Sequence, residues 1–288
     1  MREFLPPPSV VVGIDGSRAA VGAALWAVDE AVSRDIPLRI VYAVAPRGTG
    51  ACYPDDAARQ LAIADIAVRD AFVAVEATNK PVRIEVEIAQ GRPISALVRA
   101  SRSAAMVCVG AVGYQERMPG RVGSTASALA TLAHCPVAII RQPASAASAG
   151  PRWVIVEADD RRDNGVVLRE AIAEARLRSA RLQAISCWQS ITSEVDEENT
   201  VADRNRRVWA QLDRRLARWR RRYPDLETES VAVHGSMQSF LAEKGRSVKL
   251  IALNGKDPRR MEELIGPAGC AAISHTDCSL LVVNRRHP

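Results

Sequence analysis

Aromatic residues are scarce, at 4% of 288 positions, too few for the ring platforms on which single-stranded nucleic acid stacks. Long apolar runs are missing too. The longest uncharged stretch, residues 122–140, is broken by Gly123, several hydroxyl residues, His134 and Pro136, whereas a bilayer helix needs ~20 mostly apolar residues. The opening Met1-Arg2-Glu3-Phe4-Leu5, followed by three prolines, has no apolar signal core, so the chain is expected to stay in the cytoplasm. Six cysteines (52, 108, 135, 187, 270 and 278) contain no CxxC pair and no zinc spacing. Cys108, Cys135 and Cys278 stand in or beside apolar strands and read as small core hydrophobes. Neither GxxxxGK[ST] nor a GxGxxG after the first strand occurs, which argues against a P-loop NTPase and a standard dinucleotide dehydrogenase.

What is present is ordinary globular material. Hydrophobic residues make up 48% and charged residues 25%. The net charge of +6 is spread over both halves: split at residue 145, each has only a small excess of basic residues. A nucleic-acid partner is therefore not expected from the average charge.

The chain repeats itself. Val10-Val-Val-Gly-Ile-Asp-Gly-Ser17 aligns with Val154-Ile-Val-Glu-Ala-Asp-Asp-Arg161, and Leu38-Arg-Ile-Val-Tyr-Ala-Val44 with Leu182-Gln-Ala-Ile-Ser-Cys-Trp188, both at an offset of 144. Near the end of each half, Cys135-Pro-Val-Ala-Ile-Ile140 meets Cys278-Ser-Leu-Leu-Val-Val283. Two copies of one domain, residues 1–145 and 151–288, are joined by a Ser/Ala/Pro-rich linker over 142–151. Strand-length apolar runs are expected near 9–15, 38–44, 82–88, 105–110 and 136–141, and again near 153–158, 181–187, 227–234, 248–253 and 279–284. In the first copy, helical segments fall near 18–34, 55–79, 93–102 and 123–134. This alternation predicts an α/β fold of two tandem five-stranded parallel sheets, doubly wound, with helices on both faces. Ligands on such sheets sit at the carboxyl ends of the strands.

In the first copy those ends are rich in glycine. Strand one ends in Gly13-Ile14-Asp15-Gly16-Ser17, and strand four in Gly110-Ala111-Val112-Gly113, with Gly123-Ser124-Thr125 opening the last helix. Glycines let backbone N–H groups approach an anion, and a helix N-terminus adds further donors and a positive dipole end. Ser124 and Thr125 add hydroxyls, and Arg117 and Arg121 in the loop can pair with phosphate oxygens. Asp15 suits a sugar hydroxyl or a metal.

These residues resemble the universal stress proteins. The ATP-binding pattern of that family, Gly-x2-Gly-x9-Gly-Ser/Thr, is matched by Gly110, Gly113, Gly123 and Ser124 with the spacing intact. Residues 12–17 match the family's first strand end, and His134-Cys135-Pro136-Val137 its entry into the last strand. The resemblance implies strand order 3-2-1-4-5 and an adenine nucleotide, ATP alone or with Mg, across the ends of strands one and four. It implies further that Asp15 contacts the nucleoside, that Ala43 or Val44 meets the adenine, and that Gly110, Gly113, Gly123, Ser124 and Thr125 hold the phosphates. A homodimer, edge pairing through the last strands (136–141 and 279–284) and a regulatory protein partner are implied as well.

Two departures stand out. The loop after Gly113 reads Tyr114-Gln-Glu-Arg-Met118, bulky and carrying Glu116. In the second copy the counterparts of Gly110, Gly113 and Ser124 are Leu253, Lys256 and Pro267, and Glu157 replaces Gly13; Asp159 and Gly266 survive. Loss of those donors predicts a second domain without nucleotide.

Residues 203–223 place Val208, Leu212, Leu216, Trp219 and Tyr223 on one helical face, with arginines crowding the rest. The expectation is a core-packed helix with a solvated basic face. No Ser/His/Asp or Cys/His arrangement accompanies the site, so nucleotide-dependent binding or sensing is expected ahead of catalysis. Slow Mg-dependent hydrolysis of ATP and a nucleotide-free interaction module are the alternatives.

Overall fold

The computed structural model describes residues 7–45, 54–113, 122–141, 152–158, 164–189, 197–266 and 278–284. The chain divides into two compact units, residues 1–142 with 284–288, and residues 143–283.

In the first unit the described elements alternate: β1 (Val10–Ile14), α1 (Arg18–Arg34), β2 (Leu38–Val44), α2 (Pro54–Glu76), β3 (Ile84–Gln90), α3 (Pro93–Ala100), β4 (Met106–Gly110), α4 (Ser124–Leu132) and β5 (Val137–Ile140). The strands are parallel in the order β3-β2-β1-β4-β5, as the family resemblance implied. Chain order reverses beside β1, because β2 and β4 flank it on opposite sides. A crevice opens at the carboxyl edge of a sheet at such a reversal. Val10, Val11 and Val12 are all fully buried, as a central strand covered on both faces requires. α1 packs with α2, and α3 with α4.

The second unit repeats the plan with β6 (Trp153–Glu157), α5 (Asn164–Leu177), β7 (Arg181–Trp188), α6 (Glu197–Arg222), β8 (Thr228–His234), α7 (Met237–Lys244), β9 (Val248–Asn254), α8 (Pro258–Ile265) and β10 (Ser279–Val283). Its order, β8-β7-β6-β9-β10, is the same 3-2-1-4-5. The duplication reaches into backbone detail. Left-handed residues close α1 and follow α5 at equivalent places, Asp35 at φ 51° and Ser179 at φ 48°. Gly91 and Gly235, at φ 128° and 131°, follow β3 and β8, and each donates its N–H at 2.9 Å to the last residue of the neighbouring strand, Val44 or Trp188. Each first helix also buries a glutamate held by an arginine one turn on: Glu30 with Arg34, and Glu174 with Arg178.

Several boundaries differ from expectation; α2, for one, ends at Glu76 instead of 79. β3 begins at Ile84 instead of 82, because the Val82 N–H turns back to the Lys80 carbonyl at 2.8 Å around Pro81. α8 is a helix that the apolar periodicity did not announce. Asp257 caps it, accepting from the Arg259 and Arg260 N–H groups, and Pro258 opens it. Among the described residues, no helix is long and apolar enough to cross a membrane.

Candidate functional site

The site is built from the turn after β1. Gly16 takes φ 82°, a conformation that favours glycine, and lets the chain swing from the strand into α1. Asp15 accepts the Ser17 N–H at 3.0 Å, and the Ser17 hydroxyl accepts the Ala20 N–H at 3.1 Å as the cap of α1. The Asp15 side chain is thereby set at the exposed carboxyl end of β1.

The end of β4 comes directly beside it. A Cβ built on Gly113 would lie 2.9 Å from Asp15 Oδ2, so the glycine backbone and the carboxylate are in contact. Gly110 has a different neighbour: a Cβ there would fall 2.7 Å from the Ala19 carbonyl carbon and 2.9 Å from its oxygen. The absence of a side chain at Gly110 lets the end of β4 lie against the first turn of α1.

The loop that leaves β4 returns to it. The Gly123 N–H donates to the Ala111 carbonyl at 2.7 Å, while the Ala111 N–H donates to Ile140 at 2.8 Å. Gly123 then serves as the N-cap of α4 with no side-chain cap, and Ser124 and Thr125 form its first turn, Ser124 exposed and Thr125 half-buried. A helix start of this kind presents backbone donors and the positive end of the dipole. Val112 is half-buried between the two glycines. Arg117 and Arg121, with Tyr114 and Glu116, lie outside the described residues.

β2 supplies the third side. Ile14 pairs with Tyr42, so Ala43 and Val44 continue past the end of β1, both half-buried and in register with Ala89 and Gln90 of β3. Gly13 faces α3, its position for a Cβ only 2.7 Å from Leu97 Cδ1. Two neighbours were not singled out in the sequence. Ser17 fixes the turn, and the Asp-Gly-Ser string before a helix could have announced it. Tyr42 has its hydroxyl pKa raised by burial and then by the charge of Asp15; nothing in its local sequence marks it. Among the described residues no group of three His, Cys, Asp or Glu side chains forms a metal cage.

The same place in the second unit carries charge. Glu157, counterpart of Gly13, is bonded to Arg260 of α8, which also bonds Glu263. Glu263 is held in turn by the Gln238 backbone N–H at 3.2 Å, and its carbonyl accepts from the Gln238 side chain at 2.8 Å. Burial opposes the charge on Arg260, but the two carboxylates outweigh it and keep the guanidinium ionised. Cys187, counterpart of Ala43, is pushed up to about 12 by burial and next by Glu157. Small residues on one unit's sheet edge are thus replaced by an arginine–glutamate cluster on the other. Leu253, the counterpart of Gly110, is the last residue but one of β9, and the Lys256 N–H closes on Asn254 Oδ1 at 3.0 Å. Asp159 and Pro267 lie outside the described residues.

A doubly wound sheet with glycines and a carboxylate at its reversal point defines a class of α/β proteins. The comparisons make the class specific. The universal stress protein family matches residues 8–141. Universal stress protein Rv2028c of Mycobacterium tuberculosis is 50% identical over 287 residues, covering 100% of both chains. Universal stress protein Rv3134c of the same organism is 43% identical over 283 residues, 97% of this chain and 100% of that one. The fold agrees with a universal stress protein crystal structure from Archaeoglobus fulgidus at a TM-score of 0.67 and 13% identity, covering 96% of each chain. This chain belongs to the universal stress protein family.

Proposed function

We propose that the first unit binds an adenine nucleotide, ATP, at the carboxyl ends of β1, β2 and β4, and that the protein is a nucleotide-dependent regulatory module of the stress response. The observation that carries this reading is the contact of Gly113 with Asp15, which joins the glycine loop to the strand-one carboxylate. Asp15 would accept from a ribose hydroxyl. Ala43 and Val44 would flank the base, their small side chains leaving room beside the sheet. The backbone of Gly110, Ala111, Val112 and Gly113, with Gly123, Ser124 and Thr125 at the start of α4, would receive the phosphates. Arg117 and Arg121 would pair with phosphate oxygens from the intervening loop. Magnesium would arrive with the phosphates, as is usual where protein ligands are few.

The second unit is proposed to take no nucleotide. Glu157, Leu253 and Lys256 replace Gly13, Gly110 and Gly113, and the Arg260 cluster stands where the first unit has Gly13 and Ala43.

A methyl group at residue 113 tests the site with little disturbance of the fold. It would meet the movable carboxylate of Asp15, not backbone. Gly113→Ala is expected to weaken ATP binding at least tenfold, about 1.4 kcal/mol, while the melting temperature without nucleotide barely changes. Thermal shift with and without ATP measures both. An ATP-induced shift equal to that of the native protein would contradict the assignment.

A further inference from the structure

The net charge of the chain is +6, and α6 alone, with nine arginines against four acidic residues, carries +5 of it. The charge is also ordered. Arg204, Arg207, Gln211, Arg214, Arg218 and Arg221 follow one another at spacings of three and four residues, and all six are exposed. That spacing sets them on one helical face over about 26 Å. The opposite face is locked into the unit: Leu212 and Leu216 are 2% and 1% exposed, and α6 packs on β7 and β8. Two arginines away from the stripe are turned to acids of the same helix, Arg206 to Asp203 and Arg220 to Asp213, and Arg222 lies over the Tyr223 ring. Between Arg204 and Arg221 the stripe itself holds no acidic residue.

We infer that this stripe is a docking surface for the phosphate backbone of duplex nucleic acid, contacted without reading sequence. A duplex carries one negative charge per about 1.7 Å of its axis, so a straight row of cations finds partners along its whole length. Guanidinium groups suit phosphate oxygens through paired N–H donors. Insertion into a membrane surface is disfavoured because the apolar face that would enter the lipid is already buried in the fold. Docking of a folded protein is disfavoured because the stripe offers no aromatic or aliphatic anchor. The scarcity of aromatic residues, which argues against base stacking, does not bear on backbone contact.

Fluorescence anisotropy of the full chain with a labelled mixed-sequence duplex of about 20 base pairs provides the test. Five phosphate contacts predict a slope of log K against log salt of roughly −4 to −5. The double variant Arg214→Gln/Arg218→Gln should weaken binding at least tenfold and reduce that slope by about 2. Arg69→Gln, an exposed change on α2 of the first unit, should leave both unaltered. The ellipticity of the double variant should match the native protein, since both positions are exposed. The inference is overturned by absence of duplex binding at about 50 mM salt, or by an unchanged slope in the double variant. It is overturned equally if polyglutamate or phosphatidylserine vesicles of the same charge compete as well as the duplex, or if a single strand binds more tightly.

Discussion

Gly110→Ala is expected to destabilise the first unit by about 3 kcal/mol, lowering its melting by roughly 10 °C in calorimetry. The added methyl would lie 2.7 Å from the Ala19 carbonyl carbon and 2.9 Å from both its oxygen and its Cβ. None of these atoms is the end of a flexible side chain. Relief would require α1 to move away from β4, and α1 carries the buried residues Ala20, Ala23, Ala24 and Ala27 on the face that meets the sheet. Alanine's small volume is what permits so close a helix, and the same closeness leaves no room at residue 110. Gly110→Ala and Gly113→Ala therefore separate two uses of glycine three residues apart. The first should act on stability whether or not ATP is present, and the second on ATP binding alone. A stable Gly110→Ala protein would mean that β4 and α1 are not packed as described.

The second large effect is expected from Arg260→Ala, at about 3 kcal/mol in the second unit. The guanidinium lies between Glu157 and Glu263, whose side chains are 13% and 15% exposed. Its removal would leave two partly buried carboxylates without their shared counter-ion. The cost of that uncompensated charge exceeds what the intact cluster contributes over an apolar replacement. Accordingly, Glu157→Gln/Arg260→Met should recover most of the loss. Four of the five tryptophans, Trp153, Trp188, Trp209 and Trp219, lie in this unit, so denaturant unfolding followed by intrinsic fluorescence reports chiefly on it. A single variant as stable as the native chain would show that the cluster is solvated.

Most of the fold was legible in the sequence because its signals are local. Consecutive apolar runs such as Val10-Val11-Val12 mark strands covered on both sides, and the offset of 144 between Val44 and Trp188 recurs in the hydrogen bonds from Gly91 and Gly235. The strand order came from the family resemblance, not from the runs themselves. β3 began two residues late because a turn at Pro81 overrode the strand-like Val82. No helix bounds were expected in the second copy outside residues 203–223, so α8, as short as α3 and like it opened by a proline, comes from the structure alone.

The candidate site was less legible, since its contacts join distant residues. Spacing alone grouped Gly110 with Gly113, and only the packing of α1 distinguishes them. The pairing of Glu157 with Arg260, 103 residues apart, left no trace in local pattern. Average charge hid the stripe on α6 for a related reason: a modest excess over a whole domain can be concentrated on one helix.

Titration calorimetry of the nucleotide-free chain with ATP tests the central claim most directly, together with mass spectrometry of any nucleotide released on heat denaturation. One adenine nucleotide per chain is predicted, with the heat strongly reduced by Gly113→Ala and unaffected by Lys256→Ala in the second unit. Two nucleotides per chain, or none, would contradict it.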